Sequence, residues 1–500
     1  MNIKKIIKTT LLVTIFSCAE RFLGFIYRIF LSRRLGSESL GVYQIALSVF
    51  GLLLTVTASG IPITISRMLI RFKTQNNVAG ERQTVSSGIF ACAIISLPLT
   101  LLIIIKPSVF SFLFTDKRCL ALLKILIPGL TITSIYAVIR GYFWGNKLFI
   151  QYSLIEFIEE FAMLAVGIIL VNSMTSPEDG AMRAGLAIVI SYVVSFTLSG
   201  VTFALKGGRL ASPLPQLKPL LASSLPITSM RTATSLINSL IATVLPIMLI
   251  KNGYTQSQAL SGYGELSGMA MPLLFIPSTV IGAIALVLVP ELSESFYNKN
   301  HYKMQSNIEK AIYCSAFISC MIIPSFIALG KEIGLFVYNN QTAGIYLSKS
   351  AIIMLPMSIT MITNSLLNSM NKEKSTLLYF TIGSVATVVS ILVLPKYLGI
   401  YSLVAGYGAN YFITCLLNLI QLHKSSKRKP KILPCLLTSI LSIIPSTLVC
   451  LAVKKLFENR LPTIVRLGVS SLSAIGVALI IFYIAKQLTT NAYAQSVKIK

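Results

Sequence analysis

The strongest constraint on this chain is the recurrence of apolar stretches about 20 residues long, each sufficient to cross a bilayer as a helix. Fourteen are legible, at about 9–31, 41–66, 84–105, 119–139, 150–171, 184–205, 225–250, 266–290, 309–330, 350–370, 376–395, 401–422, 432–453 and 464–485. Within lipid every backbone N–H and C=O must find its partner inside the protein, so segments of this kind fold as helices. The expectation is an all-α polytopic membrane protein of about 14 transmembrane helices. Charge content agrees: charged residues make up 12% of the chain, against about 25% in soluble domains.

An even number of spans puts both termini on one side. Lysines and arginines concentrate in the segments that face the cytoplasm if the N-terminus is inside, which predicts cytoplasmic N- and C-termini. The formal net charge of +27 is therefore read as topology. Nucleic acid is excluded as a partner, because no basic run is interleaved with aromatics as single-strand binding requires. Lys4, Lys5 and Lys8 before an apolar run imitate a secretory signal, but the Glu20-Arg21 pair and the missing small-residue cleavage site mark a retained first span.

The longest internal punctuation is Lys206–Lys218, rich in Gly, Pro and basic residues, and a second basic linker runs from His423 to Lys431. They predict three parts: an N-lobe at 1–206, a C-lobe at 207–423 and a terminal helix pair at 424–500. The halves echo each other weakly. Ile127–Ser134 resembles Leu355–Asn364, and the second and eighth spans each close on a proline turn, at Pro62 and Pro290. Six spans is an even number, so such halves are parallel repeats related by a pseudo-twofold axis along the membrane normal, with the substrate site at their interface.

Enzyme chemistry finds little to build on. The eight cysteines form no CxxC pair, and His301 and His423 both fall in loops, so neither a metal site nor a nucleophilic centre is expected. A phosphate-cradling Gly-Lys-Ser/Thr loop is also lacking.

The charges inside the spans are the informative residues, since an ionisable group at membrane depth is costly and functional by default. Arg21 and Arg28 lie seven residues apart in the first span, two turns of one helix face and about 10 Å along the axis. Two stacked guanidinium forks suit a phosphate, to which arginine makes paired charge-assisted bonds. Arg231 opens the seventh span and supplies a third candidate. Glu156, Glu159 and Glu160 share a face of the fifth span, Glu20 adjoins Arg21, and Glu265 opens the eighth. These carboxylates are read either as salt-bridge partners of the arginines or as coupling groups. Tyr27, Tyr43, Gln44 and Tyr136 are candidate polar linings. Lys124 reads as a snorkelling side chain, Arg33 and Arg34 as the outer mouth, and Arg140–Gly145 as an interfacial aromatic anchor.

Several of these segments form a pattern. Arg21-Phe-Leu-Gly-Phe-Ile-Tyr-Arg28 through Gly36, Gly41-Val-Tyr-Gln44, Gly60-Ile61-Pro62 with Ser66, and Arg140-Gly-Tyr-Phe-x-Gly145 with Glu159 resemble the stage V sporulation protein B group. So do Tyr263–Pro272 and Val289-Pro290-Glu291-Leu-Ser293. That group belongs to the exporters of the multidrug/oligosaccharidyl-lipid/polysaccharide (MOP) superfamily. The resemblance implies two six-helix lobes with a terminal pair, alternating access, and flipping of an undecaprenyl-linked saccharide. The peptidoglycan precursor lipid II, moved across the bacterial cytoplasmic membrane for spore cortex or cell wall, is the implied cargo.

Arg21 with Leu23-Gly24-Phe25 also matches the first helix of lipid II flippases, whose cavity arginines recur in the second and eighth spans. Here Thr55–Ser59 and Gly268–Pro272 stand at those places instead. The resemblance implies membrane lipids as surroundings, a monomer associating with cell-wall synthesis enzymes, no cofactor, and energy from Na+, H+ or the membrane potential. Two alternatives remain: a cation-coupled multidrug antiporter of the same superfamily, and a flippase for teichoic or capsular precursors.

Overall fold

A computed structural model of the protein describes residues 3–430, 432–458 and 460–498. Lys431 and Lys500, counted in the charge bias, lie outside the described residues, as do the side chains of Lys4, Lys5, Lys8 and Cys435. The described chain is helical throughout, without strands. It packs as two compact units, Met1–Gly264 and Glu265–Lys500.

The first unit contains α1 (Ile3–Ala58), α2 (Ile61–Thr74), α3 (Val78–Ile105), α4 (Lys117–Gly145), α5 (Phe149–Asn172), α6 (Pro177–Leu205), α7 (Leu214–Lys251) and α8 (Gln256–Tyr263). Within α1 the first two expected spans are two helices that meet at a kink at Gly36, whose φ of 70° and ψ of 175° lie outside helical space. Pro62 does not close the second span. It occupies the first turn of α2, where its missing N–H has no intrahelical partner to lose, and the helix runs on to Thr74.

Side-chain caps mark most of the other starts. Asn77 accepts from Gly80 N at 2.8 Å, Asp116 from Arg118 N at 2.7 Å and Ser176 from Asp179 N at 3.2 Å. Thr255 and Gln258 form a reciprocal capping box at α8. The linker Lys206–Lys218 lies inside this unit and is tied to it: Ala211 N donates to Ser86 Oγ at 2.8 Å, and Ser87 Oγ donates to Pro213 O.

Gly141 and Gly145 set the packing of α4. A Cβ at Gly141 would stand 2.8 Å from Pro62 O, and one at Gly145 would stand 2.9 Å from Leu69 Cβ. Two glycines four residues apart let helix backbones approach closely, the small-xxx-small device of membrane bundles. Seating that stripe on α2 turns the neighbouring i, i+4 pair, Arg140 and Trp144, away from it.

The second unit holds α9 (Met271–Leu274), α10 (Ile276–Tyr297), α11 (His301–Tyr338), α12 (Gln341–Ser350), α13 (Met354–Ser369), α14 (Glu373–Val393), α15 (Pro395–Leu398), α16 (Tyr401–Ser425), α17 (Leu433–Leu456) and α18 (Thr463–Lys498). Pro290 lies inside α10 and does not end it. The 38-residue α11 is the spine, packing on α10, α12, α13, α17 and α18. A buried cluster of Ile308, Ile312, Ile362, Leu366, Leu367 and Leu422 joins α11, α13 and α16. Lys454 on α17 pairs with Glu332 on α11 at 2.6 Å.

Twelve described helical stretches are long and apolar enough to cross a membrane. One of these, Leu11–Thr74, runs through both of the first two expected spans. Phe149–Asn172 is long enough, but Glu156, Glu159 and Glu160 make it too charged to qualify by composition. A multi-span all-α membrane fold is the result.

Gly36 offers a direct test. Its backbone conformation is one that only glycine adopts readily, at a cost to other residues of about 1–3 kcal/mol. Gly36→Ala is expected to lower the melting temperature of the detergent-solubilised protein. Gly51→Ala, at a helical position with open space around it, is expected to leave that temperature unchanged or raise it.

Candidate functional site

The first half of α1 runs parallel to α5, and three contacts fix the register. Phe16 packs on Phe157 with ring centroids 5.8 Å apart. Glu160 lies against Gly24, where a Cβ would come within 2.6 Å of its Oε1, and Tyr27 fills the space beside Gly167. This register brings the charges of the first and fifth spans together. Glu20 faces Glu156 and Glu160 electrostatically, and Glu160 interacts with Arg28. Tyr43, from the second half of α1, also feels both Arg28 and Glu160. Arg28 is half-buried, whereas Arg21 is exposed on the first unit.

The ion pair to the fifth span comes from elsewhere. Arg140 Nη1 on α4 stands 3.9 Å from Glu156 Oε1, which also accepts from Tyr136 OH at 2.7 Å. Its guanidinium carbon lies 5.6 Å from the Trp144 ring centroid, within cation–π range. It also lies within electrostatic reach of Tyr152. The stretch read as an interfacial aromatic anchor is therefore part of the charged cluster. The signal was available: Arg140 and Glu156 each lie one to two turns from the tight α4–α5 reversal at Asn146–Leu148, so they meet at one level.

Glu159 faces Ser195 on α6, and its Oε2 is buried without a hydrogen-bond partner. Three other expected residues fall away from this cluster. Arg231 Nη1 donates to Ser59 O at 3.2 Å, at the break between α1 and α2. Glu265 is buried in the second unit, where it accepts from Asn340 Nδ2 at 3.0 Å; the same Asn340 caps α12 through its Oδ1. Lys124 is exposed on α4. Among the described residues no group of three or more His, Cys, Asp and Glu could hold a metal ion.

A second charged cluster joins helix ends at the opposite end of α4. Arg118 binds Glu38 at 2.5 Å, Asp116 at 2.7 Å and Glu178 at 2.6 Å. Gln256 Nε2 donates to Asp116 Oδ2 at 2.7 Å, and Ser257 Oγ donates to Glu38 Oε2 at 2.5 Å. Glu38, Asp116, Arg118, Gln256 and Ser257 line a cavity of about 520 Å³. Burial raises the pKa of Asp116, but hydrogen bonds from the Arg118 side chain and backbone outweigh it and hold the carboxyl below its usual range.

With this geometry in place, comparison with known proteins defines the class. The fold matches the lipid II flippase MurJ in an inward closed conformation, with a TM-score of 0.73 at 17% identity, over 96% of this chain and 100% of the other. It matches an inward-facing multidrug resistance MATE family transporter of the MOP superfamily with a TM-score of 0.67 at 14% identity, over 82% and 96%. This is the fold of MOP-superfamily transporters.

Residues 6–296 match the family described as polysaccharide biosynthesis protein, and the chain belongs to that family. It is 24% identical to stage V sporulation protein B of Bacillus subtilis (strain 168) over 363 residues, 69% of each chain. It is also 20% identical to the lipid II flippase MurJ of the same organism over 489 residues, 90% of this chain and 88% of that one.

The Arg118 cluster yields a pH prediction. A depressed carboxyl pKa stabilises the fold above the ordinary aspartate range, and the benefit is lost as pH falls through the lowered value. Asp116→Asn keeps a capping side chain but removes the charge, and is expected to destabilise by about 1–3 kcal/mol. The melting-temperature gap between wild type and variant should persist from pH 7 to about pH 4, near the ordinary aspartate pKa, and close only below it. A gap that closes near pH 6 would contradict this assignment.

Proposed function

We propose that the protein is a flippase that moves a lipid-linked saccharide across the bacterial cytoplasmic membrane by alternating access, with both termini in the cytoplasm. The observation that carries this reading is the α1–α5 seam, where Arg28 brings a cationic fork into a polar cluster among membrane helices, with Arg21 exposed two turns away on the same helix. The head group of such a cargo is an anionic, hydroxyl-rich body that cannot enter lipid unaided, while its polyprenyl tail can remain there. Arg21 and Arg28 take the pyrophosphate, and Glu20, Glu156, Glu159 and Glu160 act as pairing or coupling groups. The similarity to a lipid II flippase and to stage V sporulation protein B supports lipid II, for cell wall or spore cortex, as the saccharide. Membrane lipids surround the protein, which works as a monomer beside cell-wall synthesis enzymes.

Energy comes from H+ or Na+ entry, or from the membrane potential, since inside-negative polarity favours outward movement of anionic cargo. The four carboxylates of the α1–α5 seam favour one second reading, a cation-coupled antiporter of cationic drugs. The two readings predict opposite cargo charge.

Reconstitution separates them. Proteoliposomes carrying fluorescent lipid II, undecaprenyl-linked teichoic or capsular precursors, or a cationic dye are assayed for outward transfer under imposed H+, Na+ and potential gradients. Lipid-linked saccharide transfer is expected, lowered about tenfold or more in Arg21→Ala and Arg28→Ala, with unchanged melting temperatures and with Arg34→Ala as control. Dye transport without saccharide transfer would favour the antiporter. Arginine variants that fold and flip normally would remove the anion-binding role.

A further inference from the structure

Arg140 is a half-buried cation on the charged face of the first unit whose donors are incompletely met. Its Nε is buried and has no hydrogen-bond partner. Its one carboxylate contact, to Glu156, is at 3.9 Å, the outer limit of an ion pair. Glu156 does not depend on it, being held by Tyr136 OH at 2.7 Å. An unmet donor in a protein interior calls for an explanation, and on an arginine the edge that includes Nε is one of two that can engage phosphate or carboxylate with two parallel bonds.

The surroundings of that edge are specific. Trp144 lies one turn along α4, beside the guanidinium, and Tyr152 from α5 meets the indole edge to face at 5.6 Å and 84°. The indole face carries negative quadrupolar charge, which attracts the positively polarised C–H face of a pyranose ring. Glu20 and Glu156 adjoin Tyr152 and present carboxylate oxygens, acceptors for sugar hydroxyls. One cationic fork, one aromatic platform and two acceptors stand within a few residues of the α4–α5 reversal.

We infer that Arg140, Trp144 and Tyr152 form a subsite for a phosphorylated saccharide, in which phosphate takes the free Nε edge of Arg140 while the sugar stacks on Trp144. This deepens the carrier reading above and rests on it for the identity of the cargo. The subsite is separate from Arg21 and Arg28: it receives the junction of phosphate and first sugar. Glu156 stays on Nη1 when the ligand binds, so the exchange leaves no carboxylate stranded.

The chain contains a single tryptophan, so its fluorescence reports on this subsite alone. The full chain in nanodiscs is titrated with lipid II, with undecaprenyl pyrophosphate and with inorganic pyrophosphate while Trp144 emission is followed. A saturable change is expected with lipid II, a weaker one with undecaprenyl pyrophosphate, and the weakest with inorganic pyrophosphate. Arg140→Lys keeps the charge but loses the planar fork, and is expected to weaken lipid II binding about tenfold with the melting temperature preserved.

Arg21→Ala is expected to lower transport while the Trp144 titration survives. If Trp144 emission ignores all three ligands while lipid II is still flipped, the subsite is wrong and the carrier reading stands. If Trp144 responds but no saccharide crosses, the subsite stands and the carrier reading falls. Arg140→Lys with unaltered affinity overturns the subsite.

Discussion

Ionisable groups at membrane depth govern how the first unit is built, because lipid offers them nothing to bind and each must be matched within the protein. Glu156, Glu159 and Glu160 occupy one face of α5, so α5 cannot present that face to lipid. It turns the face inward, toward α1 with Arg28, α4 with Arg140 and Tyr136, and α6 with Ser195. The parallel α1–α5 register, the small residues at Gly24 and Gly167 where those helices touch, and the seating of α4 on α2 are all consistent with that single requirement. The polar seam and the fold are one solution to one problem.

The repeated 20-residue apolar runs made the fold legible in the sequence, because backbone satisfaction in lipid leaves no alternative to helices. Finer features escaped for physical reasons. Prolines at 62 and 290 read as stops, yet Pro62 falls where a helix needs no N–H, and Pro290 is accommodated within α10. The linker at Lys206–Lys218 has the composition of a boundary, and its hydrogen bonds to Ser86 and Ser87 could not be read from that composition. Composition reports where the chain leaves the membrane; it does not report which helices pack together.

The candidate site was legible in part for a similar reason. Spacing along one helix is visible in sequence, so the Arg21–Arg28 ladder and the Glu156–Glu159–Glu160 face could be read directly. Pairing between helices is not visible, and the pair that forms, Arg140 with Glu156, joins residues on either side of a reversal. Arg140 lies just beyond the apolar window at 119–139, so hydropathy assigned it to a loop, although α4 continues helical through Gly145. Glu265 and Arg231 looked equally charged and equally placed. One instead braces the start of α12, and the other meets a free carbonyl at a helix break.

Two arginines on the same helix show how satisfaction separates structural from functional charge. Arg118 meets three carboxylates at 2.5–2.7 Å, so its donors are occupied and a ligand would have to displace an intact network. Arg140 holds one distant carboxylate and leaves its Nε unmet, while Trp144 and Tyr152 border the same guanidinium. A saturated arginine fixes helix ends in place; an unsaturated one has capacity for an anion. By that criterion α4 carries a structural clasp at its start and a receptive cation near its end. The receptive cation is the one whose neighbours suit a saccharide.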